Sequence, residues 1–251
     1  MKKIIGLTVL ALFIASSSLV MGGLIENIEM DAGLEIGDFH YRESHLMRED
    51  GVQYGVYGSI AILAAHPWYF QFYMSIVGGD VEYDGGYIGG SSLKGDTANA
   101  IFNFRGIAGY KIGEGGVCLM PYSGLGYRFL SNDLDDLPGG YKREQTYVYL
   151  PLGLDLSLPI SDNHQWTIGL RSEFDWMFSG FNKSGSTKFT GQDGYGFRFT
   201  PYVRYDINDK VGLKLEIFGE YWKINDSNVK YGYLEPENAS NYYGGKFGMV
   251  F

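Results

Sequence analysis

"YVYLPLGLDLSL", residues 147–158, decides the fold. Side chains of an extended strand alternate between two faces, so Val148, Leu150, Leu152, Leu154, Leu156 and Leu158 share one side. Tyr147, Tyr149, Pro151, Gly153, Asp155 and Ser157 share the other. Two environments accept a purely aliphatic face opposite one of tyrosine, glycine and carboxylate: the interior of a soluble sandwich, or the hydrocarbon of a bilayer. The rest of the chain chooses between them.

The same period of two recurs along the chain. Met30, Ala32, Leu34 and Ile36 alternate with Glu29, Asp31, Gly33 and Glu35. Val52, Tyr54, Val56, Ile60 and Ile62 share a face, and so do Trp68, Phe70, Phe72, Met74 and Ile76. Phe102, Phe104, Ala108 and Tyr110 follow, then Leu119, Leu125, Tyr127 and Phe129. After the opening stretch come Trp166, Ile168, Leu170, Phe174, Trp176 and Phe178, then Phe197, Phe199, Val203, Tyr205 and Ile207. Leu213, Leu215, Ile217 and Tyr221 form the ninth set and Tyr243, Phe247, Met249 and Phe251 the last. About ten amphipathic strands result, many of them longer than the roughly 9 to 11 residues that cross a membrane when tilted.

The face opposite these apolar sets carries both signs of charge beside glycine and tyrosine: Arg105, Arg128, Asp155, Arg171, Glu173, Asp175, Arg198, Arg204, Glu216 and Lys246. A polar lumen accommodates such a face. Aromatic residues gather at strand ends, with Trp68, Tyr110, Trp166 and Tyr205 at one and Trp176, Phe178 and Tyr221 at the other, as interfacial girdles do. Short connections ("AHP", "GEGG", "PISDNH", "NDK") alternate with long ones ("RESHLMRED", "GGDVEYDGGYIGGSSLKGDT", "SNDLDDLPGGYKRE", "SGFNKSGSTKFTGQDG", "KINDSNVKYGYLEPENASN"), which predicts turns at one end and external loops at the other. Pro121, Pro151 and Pro201 fall inside strands, where proline cannot donate to a ladder, so bulges or local twists are expected there.

Composition agrees. The 251 residues include 37 glycines, 21 tyrosines and 16 phenylalanines but 7 prolines. Beyond the N-terminus no apolar run reaches the roughly 18 residues of a membrane helix. The formal charge of −9 points away from nucleic acid. "MKKIIGLTVLALFIASSSLVMGG" has the basic, apolar and small-residue sections of a cleaved signal peptide, so residues 1–23 are expected to be removed on export and 24–251 to form one barrel domain. Cys118 is the single cysteine and forms no intramolecular disulfide.

The C-terminus "YYGGKFGMVF" resembles the assembly signal of Gram-negative outer-membrane β-barrels, with Tyr243, Phe247, Met249 and Phe251 as its outward series. "SGLGYRFL", "YKREQTYVYLPLGL" and "YLEPENAS" resemble a poorly characterised group of outer-membrane barrel proteins, and the strand count resembles the omptin-like ten-stranded architecture. The resemblance implies an all-β, transmembrane, antiparallel up-and-down barrel in the cell outer membrane. Implied partners are membrane lipid, lipopolysaccharide and the barrel-assembly machinery, and the implied state is a monomer.

Chemistry is sparse. An omptin-like protease would set two aspartates against an aspartate–histidine pair at the loop end. Asp133, Asp135 and Asp136 lie in a loop and His40 and His45 near the first, but no histidine follows His164. "GGYIGGSS" lacks the lysine of a phosphate loop. No catalytic residue, metal site or cofactor is expected. The reading is a structural or surface-interaction barrel with extracellular loops; a narrow porin-like channel and an omptin-like surface protease or hydrolase are the alternatives.

Overall fold

The computed structural model describes residues 28–251 except 45, 64–66, 87–91, 114–115, 136, 138–139, 162, 164 and 231. The expected signal segment, His45, His66, Asp136 and His164 lie outside the described residues. Ten strands run in chain order: β1 (Ile28–Glu43), β2 (Met47–Leu63), β3 (Trp68–Gly86), β4 (Ser92–Tyr110), β5 (Cys118–Asp133), β6 (Lys142–Pro159), β7 (Trp166–Ser184), β8 (Thr187–Asn208), β9 (Val211–Ile224) and β10 (Asn238–Val250). Each pairs antiparallel with its neighbours in sequence, and β10 closes on β1.

Closure runs from Asp31↔Val250 to Glu43↔Asn238 without a break. Beyond it, the Met30 amide donates to the Phe251 carbonyl at 3.0 Å and the Phe251 amide donates to Met30 at 2.8 Å. The terminal residue is therefore part of the ladder that removes the sheet's last edge.

The two faces separate as the period of two requires. Leu34, Ile36, Leu152, Leu154, Phe197, Phe199, Leu215, Ile217 and Phe247 are exposed on the outer wall, where an aqueous sheet would be unprotected and hydrocarbon is a fitting solvent. The girdles form as cross-strand aromatic pairs. Trp68 meets Tyr110 with centroids 5.3 Å apart, and Trp166 meets Tyr205 at 4.6 Å. Trp176 and Phe178 contact one another toward the loop end.

On the inner face tyrosine lies over glycine. Tyr122 pairs with Gly153 and Tyr149 with Gly126 across β5 and β6, and Tyr202 pairs with Gly169 across β7 and β8. A Cβ on Gly153 would stand 2.0 Å from the Tyr122 ring, and one on Gly126 2.1 Å from that of Tyr149. The ring occupies the space the missing side chain leaves. This pairing accounts for an inner face rich in both residues.

Two expectations change. Strands of 13 to 22 residues exceed what hydrocarbon requires, because most of the expected long loops are paired strand. "RESHLMRED" leaves 44–46 between β1 and β2, and "SGFNKSGSTKFTGQDG" leaves a turn at 185–186 with Gly185 at φ 59°. Outside the bilayer the outward face no longer needs apolar residues, so alternation fades although the ladder continues. The prolines meet gaps in one ladder instead of bulges at their own positions. β5–β6 pairing skips from Ser123↔Leu152 to Gly126↔Tyr149 beside Pro151. β8–β9 pairing skips from Phe199↔Gly219 to Tyr202↔Glu216 beside Pro201. Pro121 lies one residue past the last β4–β5 pair, Gly109↔Tyr122.

Neighbouring residues on opposite faces supply a test. Leu152→Arg, on the lipid side, is expected to cost about 2 to 4 kcal/mol of folding stability in a bilayer. Gly153→Ala, which drives a methyl into Tyr122, is expected to cost about 1 to 3 kcal/mol. Urea titration of the protein folding into vesicles measures both. Equal tolerance of Leu152→Arg and Leu152→Ala would contradict the assigned outer face.

Assembly supplies a second test. Deleting Phe251 removes the outermost closing pair and should reduce the fraction of folded barrel, read as heat-modifiable migration on a gel. Deleting Val229, in the β9–β10 loop, should leave that fraction near normal.

Candidate functional site: the lumen and the outer mouth

All ten charged residues expected on the inner face point into the lumen, where they meet partners on several strands. At the turn end, Arg171 of β7 donates from Nε and Nη2 to Asp155 Oδ2 of β6 at 3.0 and 2.8 Å, and the Tyr202 hydroxyl donates to Asp155 Oδ1 at 3.0 Å. Arg204 bridges Glu29 at 2.5 Å and Asp206 at 2.7 Å. Lys214 bridges Asp31 at 3.2 Å and Glu216 at 2.5 Å. A cavity of about 230 Å³ remains between these groups.

The middle is denser. Arg105 of β4 reaches Glu173 of β7 at 2.5 Å, and Arg128 of β5 reaches Glu220 of β9 at 2.8 Å. Arg198 stands 3.0 Å from Asp175 and within 4 Å of both Glu173 and Glu220. Lys246 donates to the Tyr73 hydroxyl at 2.6 Å and lies 3.4 Å from Glu35. Trp222 meets Tyr149 edge-on, with centroids 5.0 Å apart, and lies beneath the guanidinium groups of Arg128 and Arg198. Among Arg105, Glu173, Arg198, Glu220 and Lys246 the cavity is about 30 Å³, room for about one or two waters.

Toward the outer mouth a single arginine spans the barrel. Arg143 of β6 donates from Nη2 to Glu49 Oε1 at 2.7 Å and from Nη1 to Glu43. β6 is five strands from β1 in either direction, so this contact crosses the full lumen. Its guanidinium also lies 4.8 Å from the Tyr41 ring centroid. The hydrogen bonds continue on both sides. Asn99 donates to Glu49 at 3.2 Å and Gln53 donates to Asn99 at 3.3 Å. Tyr41 donates to Glu43 at 2.9 Å, Gln145 to Tyr41 at 2.8 Å, and Tyr147 to Gln145 at 3.0 Å.

Arg143, Glu43 and Glu49 fall in connections expected to be loops but lie on β6, β1 and β2, and Glu29, Asp31, Glu35, Lys214 and Glu220 complete pairs that the inner-face charges need. Strand parity was the signal for the latter set. For the former it was hidden, since the outward neighbours at the rim are polar as well.

The protease arrangement does not assemble among the described residues. His40 sits on the outer wall of β1, with Nδ1 2.5 Å from Asp50 and Nε2 2.9 Å from the Tyr243 hydroxyl. Asp133 ends β5 and Asp135 follows it, both exposed; β5 neighbours β4 and β6 and not β1. Among the described residues no cluster of His, Cys, Asp and Glu has metal-binding geometry.

A family model described as the autotransporter beta-domain matches residues 32–245. Comparison with curated proteins gives no match. Among solved structures the barrel is similar to the outer membrane protease OmpT from Escherichia coli, at 12% identity over 90% of this chain and 96% of that one, with a TM-score of 0.59. It is also similar to the translocator domain of the autotransporter NalP from Neisseria meningitidis, at 12% identity over 98% and 94% of the two chains, with a TM-score of 0.50. At this identity the likeness is one of fold.

Removing the arginine that crosses the lumen strands two carboxylates. Arg143→Met is therefore expected to cost about 3 to 5 kcal/mol, because uncompensated buried charge is worse than none. Adding Glu43→Gln and Glu49→Gln to the same chain should recover most of the loss. Thermal unfolding followed by the gel shift compares the single and triple variants.

Proposed function

The chain belongs to the autotransporter beta-domain family, and from that membership we propose that this outer-membrane β-barrel acts as a closed scaffold whose work is done at its outer surface. The observation that carries the reading is the middle of the lumen, where the ion-paired Arg105, Glu173, Arg198, Glu220 and Lys246 line a cavity of about 30 Å³. A porin needs a continuous water column, and mutually neutralised charges offer a permeant ion little to bind. The experiment is conductance in planar bilayers. Purified protein should give no sustained current steps, and steps that respond to Arg105→Gln would replace this reading with the narrow channel.

The outer wall supports a more specific surface role. The ladder register sets Lys223, Ala239, Arg42, Arg48, Asp84 and Lys94 side by side across β9, β10, β1, β2, β3 and β4. Arg42 and Arg48 are directly opposite one another, an arrangement that is unfavourable unless an anion lies between them. Asp84 serves Arg48 at 3.2 Å and Lys94 at 2.8 Å. The row lies four residues beyond Asp38, the first charged outward residue after Ile36, at roughly 10 Å above the apolar band for strands of the usual rise and tilt. We assign it to the phosphate groups of lipopolysaccharide. The outward series Tyr243, Phe247, Met249 and Phe251 would be read by the barrel-assembly machinery, and the closed ladder suits a monomer.

Each cation near an anionic membrane surface contributes about 1 kcal/mol, so Arg42→Gln with Arg48→Gln should weaken retention of phosphorylated lipopolysaccharide by about 30-fold. Mass spectrometry of the lipid co-purifying with each protein measures it. Equal retention of dephosphorylated lipopolysaccharide by the unaltered protein would remove the phosphate assignment.

A further inference from the structure

The described residues of the β9–β10 connection, 225–230 and 232–237, do not stand away from the barrel. Its first arm follows the β8 rim, with the Asn225 amide donating to the Asp193 carbonyl at 2.9 Å and the Asn228 amide to that of Thr190 at 2.9 Å. Its second arm turns inward. Ser227 and Glu235 clasp each other, the Ser227 amide donating to the Glu235 carbonyl at 3.0 Å and the Glu235 amide to the Ser227 hydroxyl at 2.8 Å. The Glu235 side chain then crosses the rim to β7, where Asn182 Nδ2 donates to one carboxyl oxygen and the Ser184 hydroxyl reaches the other at 3.2 Å. Only 6% of Glu235 is exposed.

We propose that the described residues of this connection, 225–230 and 232–237, form a strap that shuts the outer mouth while the Glu235 side chain is docked, and that swings free as external pH rises. Around the docked carboxyl, β1 presents Glu43 and Tyr41, β6 presents Arg143 and Tyr147, the β5–β6 loop presents Tyr141, and β7 presents the neutral Asn182 and Ser184. Arg143 is already committed to Glu43 and Glu49. Burial first, and Glu43 beside it, push the Glu235 carboxyl up to about 7, against the partial relief from Arg143. The protonated group docks; the ionised one gains water by leaving. Because the docked form holds its proton more tightly than the free form, docking is fullest below the free carboxyl's range and is lost as pH climbs through about 7. External pH near neutrality thus falls within the working range of the strap.

The test is hydrogen exchange on the full protein in nanodiscs, following the amides of Asn228 and Glu235 at about pH 5.5 and about pH 8.5 after correction for intrinsic rates. Protection should fall about 30-fold between the two, the linkage expected from a carboxyl moved from its ordinary value to about 7. Glu235→Gln should abolish that fall, since the amide keeps its place without ionising. Glu43→Gln should move the wild-type midpoint to lower pH by removing the neighbouring negative charge. Unchanged protection in the wild type, or the same fall in Glu235→Gln, would overturn the strap.

Discussion

Hydrocarbon offers no partner to a backbone amide, and every other feature of this chain answers to that constraint. A sheet in lipid must either close or leave an edge whose unpaired groups each cost several kcal/mol. Here closure is made by the first and last strands of the domain, with Met30 and Phe251 exchanging the outermost pair of hydrogen bonds. The prolines obey the same rule. Each stands where one flanking ladder is interrupted or ended, so its absent N–H removes no bond from a continuous stretch.

Closing ten strands creates an interior that the sequence must fill. Aliphatic filling would erase the distinction between the two faces, and a one-residue slip would then be tolerated in every strand. Charge prevents this. Arg105 finds Glu173 three strands away, Arg128 finds Glu220 four away, and Arg143 finds Glu43 and Glu49 on the opposite wall. Such pairs contribute little net stability over an apolar filling, since desolvation offsets attraction. Their effect is on selection among registers, because a slipped strand would present its charge to lipid and leave the partner alone. Tyrosine over glycine serves the same end by fitting shape, as between Tyr122 and Gly153.

How far this was legible depends on where lipid stops. Between the girdles, hydrocarbon forces one face to be apolar, and alternation in 147–158 and nine similar stretches was enough to place Leu152 outside and Asp155 inside. Above the girdles both faces meet water, so the pattern vanished while the strands went on, and Glu43, Glu49 and Arg143 were read as loop. No local rule says that Glu235, in a connection of polar residues, should turn inward and bury itself. That placement comes from Asn182 and Ser184, distant in sequence and brought near only by the closed ladder.

The lumen is also unequal from end to end, and the inequality has a direction. On the turn side the ion pairs leave about 230 Å³, while the middle leaves about 30 Å³. At the outer end Arg143 spans the width, and Glu235 from the β9–β10 connection reaches Asn182 and Ser184 on β7. A barrel selected only to transmit solute would be narrowest at one ring and open on both sides of it. Here the ion pairs continue from the middle to Arg143 at the outer end, where paired strands rise past the girdles and hold a row of cations at one height. Filling that end keeps the raised rim from flexing, so the outward charges stay in register with one another. Rigidity at the rim, more than passage through the centre, is what this distribution of side chains provides.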